Sequence, residues 1–242
     1  MGNKVAIIEH LKKSFGKNDV LKDINLQLCQ GENLVVFGKS GSGKSVLIKC
    51  MVGLLKADAG KIELLGNDIS ALNEKSLNVL RKRIGFLFQS GALYDSMTVR
   101  ENLEFPLRDT KIKLKDEKEA LVVEALKNVG LEAAIDKMPS ELSGGMRKRI
   151  GLARTLILKP DIILYDEPTT GLDPITSKEI SKLIMDVQQK YNAASVIITH
   201  DVACANITAN HMMIIREGIC YAEGTFNDLK VSKDDWVKSF FQ

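Results

Sequence analysis

The sequence has no apolar run approaching the ~20 residues that a bilayer-spanning helix requires, so the chain is not expected to cross a membrane. It also lacks an apolar stretch behind a basic N-terminal cluster. Met1 to Glu9 pass straight into strand-like alternation, which argues against a secretory signal and leaves the cytoplasm as the expected location. A dominant charge is missing too. The 34 Lys and Arg oppose 31 Asp and Glu, scattered along the chain, and a net charge of +3 is too mild for a nucleic-acid groove. Nucleic acid is therefore not an expected partner. The four cysteines, Cys29, Cys50, Cys204 and Cys220, are far apart, have no metal-ligand spacing and mostly sit in apolar surroundings, so they read as buried, reduced thiols. Repeats and low-complexity tracts are absent.

What is present is an ordinary globular composition, 45% hydrophobic and 27% charged, in 242 residues. That length suffices for one large α/β domain or two small lobes. Val5 to Phe15 and Val20 to Leu28 read as two strands around the polar turn Gly16 to Asp19, an antiparallel edge. The apolar run Leu34 to Phe37 precedes a glycine loop, Gly38 to Lys44, and a helical segment containing Val46, Leu47 and Ile48. From about Ser90 to Leu158 strand runs vanish and helical periodicity takes over. Thr98 to Glu101 has the form of a capping box, and Leu121, Val122, Leu126 and Val129 precede Gly130, a C-cap candidate. Strand-type sequence returns at Ile162 to Tyr165 and Ser195 to Thr199, separated by a helix whose Ile180, Leu183, Ile184, Val187 and Tyr191 mark one face. Alternating strand and helix predicts a parallel sheet with a helical lobe inserted into it. A hairpin around Glu217-Gly218 and an aromatic tail, Asp235 to Gln242, close the chain. The tail is expected either to pack on its own domain or to reach a neighbouring subunit.

Gly38-Lys39-Ser40-Gly41-Ser42-Gly43-Lys44-Ser45 matches G-x-x-x-x-G-K-[ST]. The glycines leave backbone N–H groups free to wrap a phosphate. Lys44 supplies a point charge for the β and γ phosphates, Ser45 offers a hydroxyl to Mg²⁺, and the following helix aims its positive end at the same anion. The buried-strand run Ile162 to Tyr165 delivers Asp166 and Glu167 at its C-terminal end, where ligands bind in open parallel sheets. Asp166 is placed to hold the Mg²⁺ shell, and Glu167 to orient or deprotonate the attacking water. His200 emerges from the end of a neighbouring strand, where an imidazole can hydrogen-bond a γ-phosphate.

A second glycine turn, Leu142-Ser143-Gly144-Gly145-Met146, opens another helix, with Ser143 as N-cap. It is an anion site without a P-loop lysine of its own. It lies far along the chain from Lys44, and a nucleotide shared between two protomers would bring the two together.

This set of motifs resembles the ATPase domain of ABC transporters, and the resemblance covers essentially the whole chain. It implies a P-loop NTPase core of ABC type, α/β in class, with an N-terminal antiparallel β region and an inserted helical subdomain. The 242 residues would form a single domain, with the core lobe at 1–89 and 159–242 and the helical lobe at about 90–158. By the same resemblance Gly38 to Ser45 is the Walker A loop, Gln89 the Q-loop glutamine, Leu142 to Met146 the signature loop and Asp166-Glu167 the Walker B pair. Gly171-Leu172-Asp173 is the D-loop and His200 the switch histidine. ATP and Mg²⁺ are implied as cofactors. The nucleotide would contact Phe15, Gly38, Ser40, Gly41, Ser42, Gly43, Lys44, Ser45 and Val46 of one protomer and Ser143, Gly144 and Gly145 of the other, with Asp173 at the seam. The metal would be held at Ser45, Gln89 and Asp166, and Glu167, His200, Gln89 and Lys44 form the catalytic set. Phe15 takes the place of the aromatic that stacks on adenine, although on its own it also reads as a buried strand residue.

The chain departs from the commonest signature at Met146, where glutamine is usual, followed by Arg147-Lys148-Arg149. With Phe88 to Asn102 and Tyr165 to Pro174, this stretch is similar to the Mla/Mce-type lipid-transport ATPases, which move phospholipid or other hydrophobic molecules between bacterial membranes. That likeness implies a homodimer and an integral permease of the MlaE kind docking near Ser90 to Pro106, which would hold the chain on the inner face of the cell membrane. It also implies an Mce-domain protein and a small regulatory subunit. Other cargo systems, for lipoprotein release, amino-acid import or cell division, use the same catalytic parts. A soluble ABC switch on chromosomes or ribosomes, or a regulatory module without turnover, is the remaining alternative.

Overall fold

A computed structural model describes residues 2–112 and 114–241; Met1 and Gln242, at the ends of the N-terminal segment and the aromatic tail, lie outside the described residues. Among them the strands are β1 (Lys4–Phe15), β2 (Asn18–Cys29), β3 (Asn33–Phe37), β4 (Ala59–Leu64), β5 (Asn67–Asp68), β6 (Ile84–Leu87), β7 (Ile162–Asp166), β8 (Ala194–Thr199), β9 (His211–Arg216) and β10 (Ile219–Gly224). The helices are α1 (Lys44–Met51), α2 (Glu74–Arg81), α3 (Val99–Glu104), α4 (Lys115–Val129), α5 (Gly144–Leu156), α6 (Pro174–Tyr191), α7 (Val202–Thr208), α8 (Phe226–Lys230) and α9 (Asp235–Lys238).

The strands join in the order β5-β4-β1-β2-β10-β9-β3-β8-β7-β6. β9, β3, β8, β7 and β6 run parallel, each paired with its neighbour in unbroken register. β5, β4, β1 and β2 pair antiparallel, as expected of the N-terminal region. The β1–β2 hairpin is not the edge, however, because β4 and β5 lie outside it. Their short, half-polar sequences carry no strand periodicity strong enough to announce them. The final hairpin turns at Glu217 (φ 51°) and Gly218 (φ 82°), two successive left-handed residues that suit a twisted two-residue connection.

β3, β7 and β8 are buried along their whole length, and their alternation serves two cores. Leu34, Val36, Leu164, Val196 and Ile198 face α1 and the antiparallel strands. Val35, Phe37, Ile163, Tyr165 and Ile197 face α6 and α7, with Ile180, Ile184 and Val187 of α6 buried against them. A third, purely helical core forms from α3, α4 and α5 around Val99, Leu103, Val122, Leu126 and Ile150. Thr98 and Glu101 make the expected capping box and Gly130 caps α4 at φ 67°. Helix α5 joins the lobes: Leu152 and Leu156 lie in the sheet-facing core, Ile150, Ala153 and Ile157 in the helical one.

All four cysteines are free. Cys50 and Cys204 are buried as expected, whereas Cys29 at the end of β2 and Cys220 on the half-exposed strand β10 are only half-buried. Among the described residues no helix is long and apolar enough to cross a membrane.

Candidate nucleotide site

β3 ends at buried Phe37, and the chain then makes turns that only glycine accommodates. Gly38 has φ 151°, and a Cβ there would lie 2.6 Å from the Ile215 carbonyl oxygen. Gly43 has φ 100°, and a Cβ there would lie 2.8 Å from Leu21 Cδ2. Gly43 is also the N-cap of α1 and brings no side chain to the first N–H groups of that helix, which stay free for an anion. Lys44, only 5% exposed, donates from Nζ to the carbonyls of Gly38 (2.8 Å) and Lys39 (3.0 Å) and lies 4.0 Å from Glu167 Oε1. Burial pulls its pKa below the ordinary lysine value, opposed by the carboxylates of Glu167 and Asp166. Ser42 Oγ is buried with no partner among the described residues. A buried ammonium, a spare hydroxyl and uncapped amides fit a phosphate chain.

At the sheet edge, Ser45 Oγ donates to Asp166 Oδ1 at 2.9 Å. Burial raises the Asp166 pKa and the Ser45 hydrogen bond opposes that shift. The two oxygens form a hard-ligand pair that could hold Mg²⁺. Among the described residues no group of three or more His, Cys, Asp or Glu is placed to hold a metal ion. Glu167 follows with φ 52°, a left-handed backbone that costs a side-chain-bearing residue roughly 1–2 kcal/mol. Its N–H continues the strand pairing to the Ile198 carbonyl at 2.9 Å. Its carboxylate, turned into the cleft, sits 2.8 Å from His200 Nδ1 and accepts from Thr170 Oγ1 at 3.1 Å.

Gly38, Gly43, Lys44, Ser45, Glu167 and His200 line a cleft of about 540 Å³ together with Ser40, Gly41, Val46 and Gln89, whereas Ser42 and Asp166 lie behind this lining and are not part of it. Sequence reasoning missed Val20, Thr170 and Phe240 in the same lining. Val20 and Phe240 arrive from a hairpin and from the tail, and carry no motif. Phe240 meets Phe37 edge-on at 5.4 Å, and Phe241 stacks on it at 6.4 Å, so the described part of the tail packs on its own domain. Phe15 is not part of the lining. It is 48% exposed at the end of β1, with Lys13 Nζ 5.4 Å from its ring centroid, so it is not the buried strand residue its pattern also allowed.

Ser143, Gly144, Gly145 and Asp173 also lie apart from the cleft lining. Ser143 caps α5, accepting from the Met146 N–H at 3.2 Å. A Cβ on Gly145 would come within 2.6 Å of Thr176 Cγ2. Thr176 in turn donates its hydroxyl to Asp173 Oδ2 at 2.6 Å, and the Asp173 carboxylate caps α6 through the N–H groups of Ile175 and Thr176. These hydrogen bonds hold the Asp173 pKa below the ordinary carboxylate value. Within one chain the second glycine turn is thus packed on the Asp173 loop and removed from the phosphate cradle.

A P-loop at the end of a central parallel strand, Asp and Glu at the end of the next but one, and a glycine turn opening a helix of a separate lobe define an ATPase domain of the ABC type. The chain belongs to the ABC transporter family, whose model matches residues 21–170. A probable ribonucleotide transport ATP-binding protein of Mycobacterium leprae is 44% identical over 215 residues, 88% of this chain and 62% of that protein. The chain therefore spans less than two thirds of that relative's length. An intermembrane phospholipid transport system ATP-binding protein, MlaF of Haemophilus influenzae, is 37% identical over 242 residues, 100% of this chain and 92% of that protein. Among solved structures, the dimeric ATP-binding cassette MJ0796 in a post-hydrolysis state with ADP and Pi matches with TM-score 0.83 at 29% identity, covering 91% of this chain and 98% of that chain.

Proposed function

We propose that this chain binds and hydrolyses ATP as a homodimer and thereby drives a membrane permease that moves phospholipid or another lipid. The observation that carries the ATPase reading is the Glu167 carboxylate, held by His200 and Thr170 and facing the buried Lys44 across the P-loop. In this reading Lys44 and the glycine-loop amides take up the charge of the β and γ phosphates. Glu167 accepts a proton from water as the water oxygen bonds to the γ-phosphorus; the bond to the β–γ bridging oxygen breaks, ADP keeps that oxygen and inorganic phosphate leaves. His200 orients the carboxylate and reaches the γ-phosphate, and Gln89 senses the site from the end of β6. Bound Mg²⁺, held by Ser45 and Asp166 with Gln89, supplies neutralisation of the charge on the phosphate oxygens.

The separation of Ser143 to Gly145 from the cleft supports closure of the site by a second protomer, and the dimer of the MJ0796 cassette supports the same arrangement. Phe15, exposed at the tip of its hairpin, is free to stack on adenine. The domain is one ABC ATPase unit, with a core lobe at 1–89 and 159–242 and a helical lobe at about 90–158. The permease docks near Ser90 to Pro106, which holds the chain at the inner face of the membrane; an Mce-domain protein and a small regulatory subunit complete the assembly.

The full-length match to MlaF and the Met146 signature support lipid as the cargo, whereas the mycobacterial relative's name points to ribonucleotides. Affinity purification of the tagged chain from its native membranes in mild detergent separates the two. Recovery of a permease with an Mce-domain protein and bound phospholipid supports the lipid reading. A different permease without lipid discards that cargo, and a purely soluble partner discards the transporter.

A further inference from the structure

Lys148, in the second turn of α5, is 5% exposed, yet no step proposed above uses it. Its ammonium donates to the Thr170 carbonyl at 2.6 Å and to the Glu167 carbonyl at 3.3 Å. Those carbonyls belong to the two ends of the turn that carries Glu167 in its left-handed conformation. The turn's own closure is a single bond of 3.3 Å from the Thr170 N–H to the Glu167 carbonyl. The same turn supplies the Thr170 hydroxyl that steadies the Glu167 carboxylate. A strained backbone persists only where its surroundings over-determine it, and charge-assisted hydrogen bonds are the stronger kind. A buried charge is costly, and an apolar side chain of similar volume often folds as well. Stability alone therefore does not explain an ammonium here. Lys148 also sits on the helix that Ser143 caps, one turn past the signature glycines.

We propose that Lys148 is a positioning residue for hydrolysis: its ammonium fastens the Glu167–Thr170 turn to the signature helix and so holds the Glu167 carboxylate toward the attacking water. The proposal rests on the role given to Glu167 above. Lys148 lies outside the lining of the nucleotide cleft, so its loss should touch turnover and leave nucleotide binding intact.

Steady-state hydrolysis of MgATP by the full-length chain tests this in Lys148→Met, Lys148→Arg and Glu167→Gln. Lys148→Met is expected to lower kcat at least ~10-fold, with KM and the separately titrated nucleotide Kd within about 2-fold of wild type. Lys148→Arg, which keeps charged donors, is expected to recover kcat to within about 3-fold. A Lys148→Met kcat within about 2-fold of wild type, while Glu167→Gln is inactive, overturns the role of Lys148 alone; so does a parallel loss of nucleotide affinity. Undiminished turnover by Glu167→Gln overturns the reading of Glu167 and the role of Lys148 with it. If Lys148→Met does not fold, Lys148→Ala carries the same test with the same outcomes.

Discussion

The carboxylate of Glu167 and the imidazole of His200 meet at 2.8 Å although the residues lie on different strand ends, 33 positions apart. Thr170 Oγ1 provides the other side-chain hydrogen bond to Glu167. His200→Ala removes one of these two restraints without touching the P-loop. Turnover should fall at least ~10-fold, a larger factor than any rise in the nucleotide Kd. Single-turnover hydrolysis beside equilibrium nucleotide titration distinguishes this from a general loss of the site.

Lys44 is the buried cation of the cradle, and its hydrogen bonds run to loop carbonyls. Lys44→Ala should weaken ATP binding by about 1.5–3 kcal/mol, roughly 10- to 150-fold in Kd. Calorimetric titration checks this; an unchanged Kd would remove Lys44 from phosphate recognition.

The two signature glycines differ in the room around them. A Cβ on Gly145 would press on Thr176 Cγ2 at 2.6 Å, whereas one on Gly144 would meet Leu172 Cδ2 at an ordinary 3.5 Å. Gly145→Ala should therefore destabilise the chain by ~1–3 kcal/mol, and Gly144→Ala by less. Denaturant unfolding of both variants reads the difference, and equal effects would contradict the packing of the signature turn on the Asp173 loop.

Burial lowers the Lys148 pKa to about 8 from the ordinary 10.5, with Glu167 and then Cys204 opposing the shift. Below about pH 8 the folded and unfolded chains both hold this proton, so the cost of the buried charge is fully present. Between about 8 and 10.5 the unfolded chain binds more protons, and stability contributed by this group rises with pH. The stability of the wild type relative to Lys148→Met should thus increase from pH 7 to 10, by at most about 3 kcal/mol. A flat difference across that range would place the Lys148 titration elsewhere.

Sequence periodicity carried the central fold well. The runs at β3, β7 and β8 are unbroken because those strands are buried on both faces, and the glycines at 38 and 43 mark backbone conformations closed to other residues. The P-loop, the Asp166-Glu167 pair and His200 were legible because each sits directly at a strand end. β4 and β5 were not legible, since short, partly polar segments have no dominant period; α2 was missed although Asn73 caps it and Leu77 and Leu80 mark its buried face. Val20 and Phe240 reach the cleft through tertiary packing, which leaves no local trace. Lys148 was hidden for a related reason: in a run of Arg147, Lys148 and Arg149 a buried donor reads like its half-exposed and exposed neighbours.

In the proposed cycle two copies of this chain close around ATP and reopen when Glu167 has hydrolysed it. Size-exclusion chromatography of Glu167→Gln at saturating MgATP, beside the nucleotide-free protein, tests it most directly. A nucleotide-dependent shift from monomer to dimer is expected, with ATP retained in the peak and no turnover. A Glu167→Gln chain that stays monomeric at saturating nucleotide, or still hydrolyses ATP at the wild-type rate, would contradict it.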